Sequence, residues 1–113
     1  MSQEGGTKHD NNKPSISLVP SSFILGIGSV FNFGGAKYGL HNYRQGLKHS
    51  RCIDAAIRHL LAILDGEEVD NESGLLHIHH AGCSLAMYDY QRVNHPELND
   101  IHELLKKKGV NNG

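Results

Sequence analysis

The chain has 113 residues and a formal net charge of −1, from 11 Lys and Arg against 12 Asp and Glu; 38% of it is hydrophobic, 20% charged, and Trp is absent. That length suits one compact domain with a modest core, and the balanced charge argues against a protein that coats long nucleic acid, which needs a basic face. No apolar run approaches membrane-spanning length and no signal-peptide core precedes residue 20, so the expected setting is the cytoplasm, away from membranes.

Residues 1–20 are polar and rich in Gly, Asn, Ser and Pro, and read as an N-terminal arm lying across the domain, frayed at its start. Pro14 and Pro20 bracket Ser15–Val19, whose period-two alternation predicts an extended segment. Ser21 and Ser22 are suitable N-caps for a first helix, with Phe23, Ile24, Ile27, Val30 and Phe31 at helical spacing. Gly26 and Gly28 weaken this helix but permit close helix contact. It ends near Gly34-Gly35 or continues, kinked, to Tyr38. Residues 39–50 read as a donor-rich loop.

A second helix spans about Arg51 to Leu64. Its stripe of Ile53, Ala56, Ile57, Leu60, Leu61 and Leu64 follows the pattern of a core-facing surface. Asp65-Gly66 ends it, and Glu67–Ser73 forms an acidic loop. A third helix starts near Gly74 or Leu75 and runs to about Val93, stopped by Asn94 and Pro96. A short last helix, Pro96 to Lys108, has Pro in its first turn and Lys106-Lys107-Lys108 at its C-terminus, which suits the helix dipole. The expected organisation is a 1–20 arm, a 21–108 helical domain and a 109–113 flexible tail. The fold class is all-α with about four helices. So short a chain covers three apolar helices poorly, so a homo-oligomer is expected. Cys52 and Cys83 sit among apolar neighbours and read as buried free thiols.

Histidine is enriched, at 9 residues, which favours metal, phosphate or proton chemistry. On the second helix Arg51, Asp54 and Arg58 share a face. With Arg44 and Lys48 in the preceding loop they gather cations near one helix N-terminus, a common phosphate site. On the third helix His77 and His80 point the same way and His79 elsewhere. The pair suits three uses: one metal ion, two imidazoles on one ligand, or a polar layer between helices. A third metal ligand would come from Glu72, Asp70, Asp54 or His59. His9-Asp10 lacks the helical context of a phosphohydrolase motif, and Gly26-Ile27-Gly28 lacks the strand and third glycine of a dinucleotide fingerprint.

Taken in order, Lys8-His9-Asp10-Asn11-Asn12-Lys13-Pro14, Leu18-Val19-Pro20, Gly35-Ala36-Lys37-Tyr38-Gly39 and Asn42-Tyr43-Arg44 resemble a family of small viral proteins. So do Asp54-Ala55-Ala56-Ile57-Arg58-His59-Leu60-Leu61, Gly66-Glu67-Glu68 with Asp70, Glu72-Ser73-Gly74 and His77-x-x-His80-Ala81 with Cys83. The family is the N-terminal domain of phage dATP/dGTP diphosphohydrolases. The resemblance implies kinship with the all-α pyrophosphohydrolases of MazG type. Those cleave a nucleoside triphosphate to the monophosphate and pyrophosphate, hold Mg²⁺ on paired carboxylates, and assemble as dimers or tetramers.

The resemblance implies a phage nucleotide-binding protein of the infected host cytoplasm; on the enzyme reading, a deoxynucleoside triphosphate pyrophosphohydrolase, Asp54, Glu68, Asp70 and Glu72 are the candidate Mg²⁺ ligands. Lys8, Lys13, Lys37, Asn42, Arg44 and Arg58 would bind the nucleotide's polar groups, and Tyr38 or Tyr43 would stack on its base. Asp54, His59, Glu72, His77 and His80 would serve the reaction. The chain departs from the MazG pattern in placing His77-x-x-His80 where carboxylates are expected, and a hard Mg²⁺ ion prefers oxygen. Two other readings therefore stand beside the enzyme: a viral sponge that sequesters a host immune nucleotide messenger without cleaving it, and a structural helical interaction domain.

Overall fold

The structure, a computed structural model, describes residues 5–7 and 12–103. It is all-α: helix α1 spans Ser21–Tyr38, α2 His49–Leu64 and α3 His77–Asn94, and the backbone is helical again over residues 101–103. Single 3₁₀ turns occupy Ile16–Leu18, Asn42–Gln45 and Pro96–Leu98. Among the described residues the only β pairing is one bridge between Val69 and Leu76. No described helix is long and apolar enough to cross a membrane.

The segment read as extended is a 3₁₀ turn instead. With no strand to pair with, Ser15 and Ile16 satisfy their carbonyls locally, from the Leu18 and Val19 amides at 3.0 Å each. Residues 12–20 are exposed throughout. Pro20, rather than Ser21 or Ser22, is the N-cap of α1, and no side chain caps it. The helix runs through Gly34-Gly35 to Tyr38 and stops at Gly39, whose φ of +94° lies in the left-handed region. α2 opens two residues earlier than expected, at His49, because the C-terminal segment holds its first turn. The Ser50 amide and hydroxyl both donate to the Asp100 carboxylate, at 2.9 and 2.6 Å. That carboxylate caps the first turn of α2, the helix end that the sequence offers as a phosphate site.

The chain after α3 is not one helix: a turn at Pro96–Leu98 gives way at Asn99 and Asp100, and Asn99 Oδ1 then accepts the Ile101 amide. Lys106 to Lys108 and the 109–113 tail lie outside the described residues.

The core is made of small side chains. Val30, Cys52, Ala56, Ala81 and Cys83 are buried, so α2 and α3 approach closely, and α1 packs on α3. A methyl group on Gly82 would press on Phe23 and Ile27, and one on Gly26 would overlap the His79 ring. Gly28 makes no such approach. Both cysteines are buried free thiols, and burial pushes Cys83 up to about 12.

The buried face of α2 keeps only part of the expected stripe: Ala56 is buried and Ile53 half-buried, but the larger residues beyond them are not enclosed. His49, Cys52 and Ala56 are buried, while Ile57, Leu60, Leu61 and Leu64 are 46%, 41%, 52% and 81% exposed. Hydrophobicity alone chose the wider stripe; the close α2–α3 approach admits only the smaller side chains. Among the described residues one polar side chain, that of Gln91, is wholly enclosed. Gln91 donates to the Tyr43 carbonyl at 2.7 Å and accepts from the Leu47 amide at 3.0 Å, which ties the loop before α2 to α3.

Candidate functional site

Two adjoining clefts, each about 400 Å³, open where α1, α2 and α3 meet. They share Tyr38, Ala55, Arg58, Ser84 and Met87. One adds Arg51 and Asp54; the other adds Lys37, His59, Asp70, Glu72 and His80. Helix geometry explains the convergence. Arg51, Asp54 and Arg58 recur at three and four residues along α2, and none of them enters an ion pair among the described residues. The ladder their spacing allows is not formed, and their charges face the cleft instead.

The acidic loop supplies the opposite wall, and its sequence fixes its shape. Asp70 Oδ2 accepts the Ser73 amide at 3.0 Å and the Ser73 hydroxyl at 2.8 Å, while its carbonyl accepts the Gly74 amide at 2.8 Å. Gly74, at φ +73°, supplies the left-handed residue that closes this turn. The Asp70 amide in turn donates to the Leu75 carbonyl, and the His77 amide to Glu68. Burial raises the Asp70 carboxyl, but the Ser73 hydrogen bonds and the His80 and His77 charges outweigh it and hold it below its ordinary value.

Three histidines meet at the foot of this wall. His59 Nδ1 and His77 Nδ1 are 2.8 Å apart, and the His59 ring stacks on His80 at 4.6 Å with a 13° tilt. His77 Nε2 lies 2.8 Å from Glu67 Oε1, and His80 Nε2 lies 2.7 Å from the Ser73 hydroxyl. Since Ser73 gives its own proton to Asp70, His80 Nε2 is the donor in that contact. Burial lowers both His59 and His80 below the usual imidazole value; mutual charge repulsion reinforces this at His59, while Asp70 opposes it at His80. At neutral pH these rings therefore act as hydrogen-bonding groups rather than as cations. His77 is buried and lines neither cleft.

Of the residues picked from sequence, Lys37, Tyr38, Asp54, Arg58, His59, Asp70, Glu72 and His80 line the paired clefts. Tyr43 and Asn42 do not; they border a small neighbouring hollow. Tyr43 is packed between Phe31 and Tyr90, at 5.4 and 5.3 Å, and Arg44 lies over Tyr43 and Tyr90. Glu68 and Lys13 are exposed outside the clefts, and Lys8 lies outside the described residues. Ser84 and Met87 line both clefts without having been picked from the sequence. Ser84 and Met87 follow His80 at i+4 and i+7, a helical spacing that marks them as its neighbours. Glu67 stands in the acidic loop and in the Gly66-Glu67-Glu68 block, but only its contact with His77 separates it from its neighbours.

Among the described residues, Asp54, Glu68, Asp70 and Glu72 are not brought together as one group of converging donor atoms. Glu72 is paired with Lys37 at 3.0 Å, and Asp70 is bonded to Ser73. Among the described residues, the group whose donor atoms converge is His59, Asp70 and His77.

The family described as dATP/dGTP diphosphohydrolase, N-terminal, matches residues 3–101 of the chain. A protein of Salmonella phage PMBT28 named dATP/dGTP diphosphohydrolase is 36% identical over 95 residues, which cover 84% of this chain and 32% of that protein. The chain thus spans about a third of the length of that curated relative. No solved structure matches.

Proposed function

This chain belongs to the dATP/dGTP diphosphohydrolase N-terminal family, and we propose that its paired clefts bind a purine deoxynucleoside triphosphate and support its hydrolysis to the monophosphate and pyrophosphate. The observation that carries this reading is the convergence of Lys37, Arg51 and Arg58 with Asp54, Asp70 and Glu72 around one three-helix junction. Lysine and arginine there match the charge and geometry of a triphosphate. Exposed Tyr38, at the shared edge of the clefts, offers the base a ring face. His59 and His80 hold neutral imidazoles where a water must be oriented against the phosphate. The reaction breaks the bond between the α-phosphorus and its bridging oxygen, and water supplies the new oxygen.

Mg²⁺ commonly sits on one or two carboxylates plus substrate phosphates. Asp54 and Glu72 suit that mode, in which the ion would neutralise phosphate charge. The working form is a homo-oligomer, in which the exposed stripe of α2 finds its cover.

A second reading has a specific support: with Glu72 paired to Lys37 and Asp70 bonded to Ser73, no carboxylate quartet is assembled. A site of cations without that quartet would sequester a nucleotide messenger rather than cleave it. One experiment separates the two. The protein is incubated with dATP or dGTP and Mg²⁺, then denatured by heat, and the nucleotide is analysed. Monophosphate with pyrophosphate supports the enzyme; intact nucleotide retained by the folded protein and released by heat supports the sponge. Failure to retain or cleave any nucleotide would overturn both.

A further inference from the structure

We propose that His59, Asp70 and His77 form a binding site for one divalent transition-metal ion, held from behind by Glu67 and Ser73. The three side chains come from α2, the acidic loop and α3, and their donor atoms all lie within 4.8 Å of one another. One ion with bonds of ~2.0–2.2 Å bridges atoms up to ~4.4 Å apart, so only small shifts separate this arrangement from a coordination shell.

Protonation fixes which atoms are available. Glu67 is a carboxylate and only accepts, so the contact of Oε1 with His77 Nε2 places the His77 proton on Nε2. Nδ1 of a neutral His77 then carries a bare lone pair, and it points at His59 Nδ1, 2.8 Å away. Without an ion, His59 fills that gap with its own N–H. With an ion, His59 takes the other tautomer and the two nitrogens part to ~3.3 Å, the separation of tetrahedral nitrogen ligands. A carboxylate behind a ligating histidine is the usual way a protein fixes the ring's tautomer and orientation. The two Ser73 bonds hold the Asp70 carboxylate in the same manner.

The donor set selects the class of ion. Two imidazole nitrogens and one carboxylate oxygen suit Zn²⁺, Mn²⁺, Fe²⁺, Co²⁺ or Ni²⁺, whereas Mg²⁺ favours oxygen alone. His77 is buried beneath the site, while His59 and Asp70 also line the cleft. Three protein ligands therefore leave coordination positions open on the cleft side, as in metal sites that meet a ligand or water. His80 is not part of the set, because its Nε2 donates to Ser73.

The test uses the full chain, stripped with chelator, and no nucleotide, so its outcome is independent of what the cleft binds. Calorimetry with Zn²⁺ and Mn²⁺ should show one ion per chain, and Co²⁺ should give visible d–d absorption that excess Mg²⁺ does not displace. Glu67→Gln should weaken binding about 10–100-fold; Asp70→Asn and His59→Gln should weaken it more, with helical circular dichroism unchanged. His77→Gln is expected to behave like them, and should it fail to fold, the loop variant Asp70→Asn decides. Absence of saturable one-ion binding would overturn the site. So would wild-type affinity in both Asp70→Asn and His59→Gln, which would move the ion to exposed histidines such as His102.

Discussion

Lys37 Nζ and Glu72 Oε2 stand 3.0 Å apart and join the last turn of α1 to the acidic loop across the mouth of the cleft. Their hydrogen bond, with the charge of Glu72, holds the Lys37 ammonium above its ordinary pKa, so the lysine is fully charged at neutral pH. The side chains are 39% and 67% exposed, which makes this a screened contact that an incoming phosphate can displace. Glu72 thus occupies the cation that a nucleotide would need. Glu72→Gln is expected to tighten binding of dATP or dGTP in chelator by less than about tenfold, and to reduce the extra affinity that Mg²⁺ confers. Calorimetry with and without Mg²⁺ reads both effects. Weaker binding of the variant in chelator would show that Glu72 does not compete for Lys37.

Arg58 lies in both clefts and on the polar side of α2, with no carboxylate paired to it among the described residues. Arg58→Ala is expected to leave the melting temperature close to that of the wild type and to weaken nucleotide binding by about 10–100-fold, the loss of a charged hydrogen-bond partner worth ~1.5–3 kcal/mol. Arg51→Ala should do less, since Arg51 borders only one of the two clefts. Unchanged affinity in folded Arg58→Ala protein would return the guanidinium to the solvated surface.

These roles show what one-dimensional reading reaches. Helical spacing placed α1, α2 and α3 within a few residues, and it put Asp54 and Arg58 on one face because the 3.6-residue period dictates it. It put Ala56 rightly in the buried face of α2 but extended that face to Ile57, Leu60, Leu61 and Leu64, which are exposed. Leu60 and Leu64 outrank Cys52 and Ala56 in hydrophobicity, but the α2–α3 approach admits small groups, and that distance is a tertiary property. Spacing also paired His77 with His80. The contact that forms is His77 with His59, from a helix 18 residues away in sequence, which no local periodicity encodes. Asp100 capping the Ser50 amide at the start of α2 is equally non-local.

His95 offers a pH test outside the cleft. Its Nε2 lies 2.9 Å from the Arg44 carbonyl and its Nδ1 lies 3.2 Å from Glu97 Oε2. Both partners are acceptors, so the ring is best satisfied when doubly protonated. The Arg44 carbonyl bond first, then Glu97, raises its pKa above 6.5. The folded state therefore binds this proton more tightly than the unfolded chain. The stability it contributes is fully present below 6.5 and is lost as pH rises through the folded pKa. The lowered values of His59 and His80 act in the opposite sense, so the comparison must be with His95→Gln. The melting temperature of wild type minus that of the variant should shrink from about pH 6 to about pH 8.5. A difference that stays constant or grows would show His95 to be neutral in the folded protein.

The exposed stripe of α2 carries the last expectation. Ile57, Leu60, Leu61 and Leu64 form one apolar surface on α2, flanking the His49, Cys52 and Ala56 face that is already buried. A contiguous apolar face of this kind marks an association surface, and each Leu or Ile removed from water contributes about 1.5–3 kcal/mol. The protein is expected to be a homo-oligomer at micromolar concentration by light scattering. Leu60→Glu with Leu64→Glu should yield a folded monomer, because these side chains lie outside the Cys52, Ala56, Ala81 and Cys83 core. Circular dichroism should show the helices retained. A wild-type monomer at that concentration would refute the oligomer outright, and a double variant that keeps the wild-type mass would move the interface to another surface of the chain.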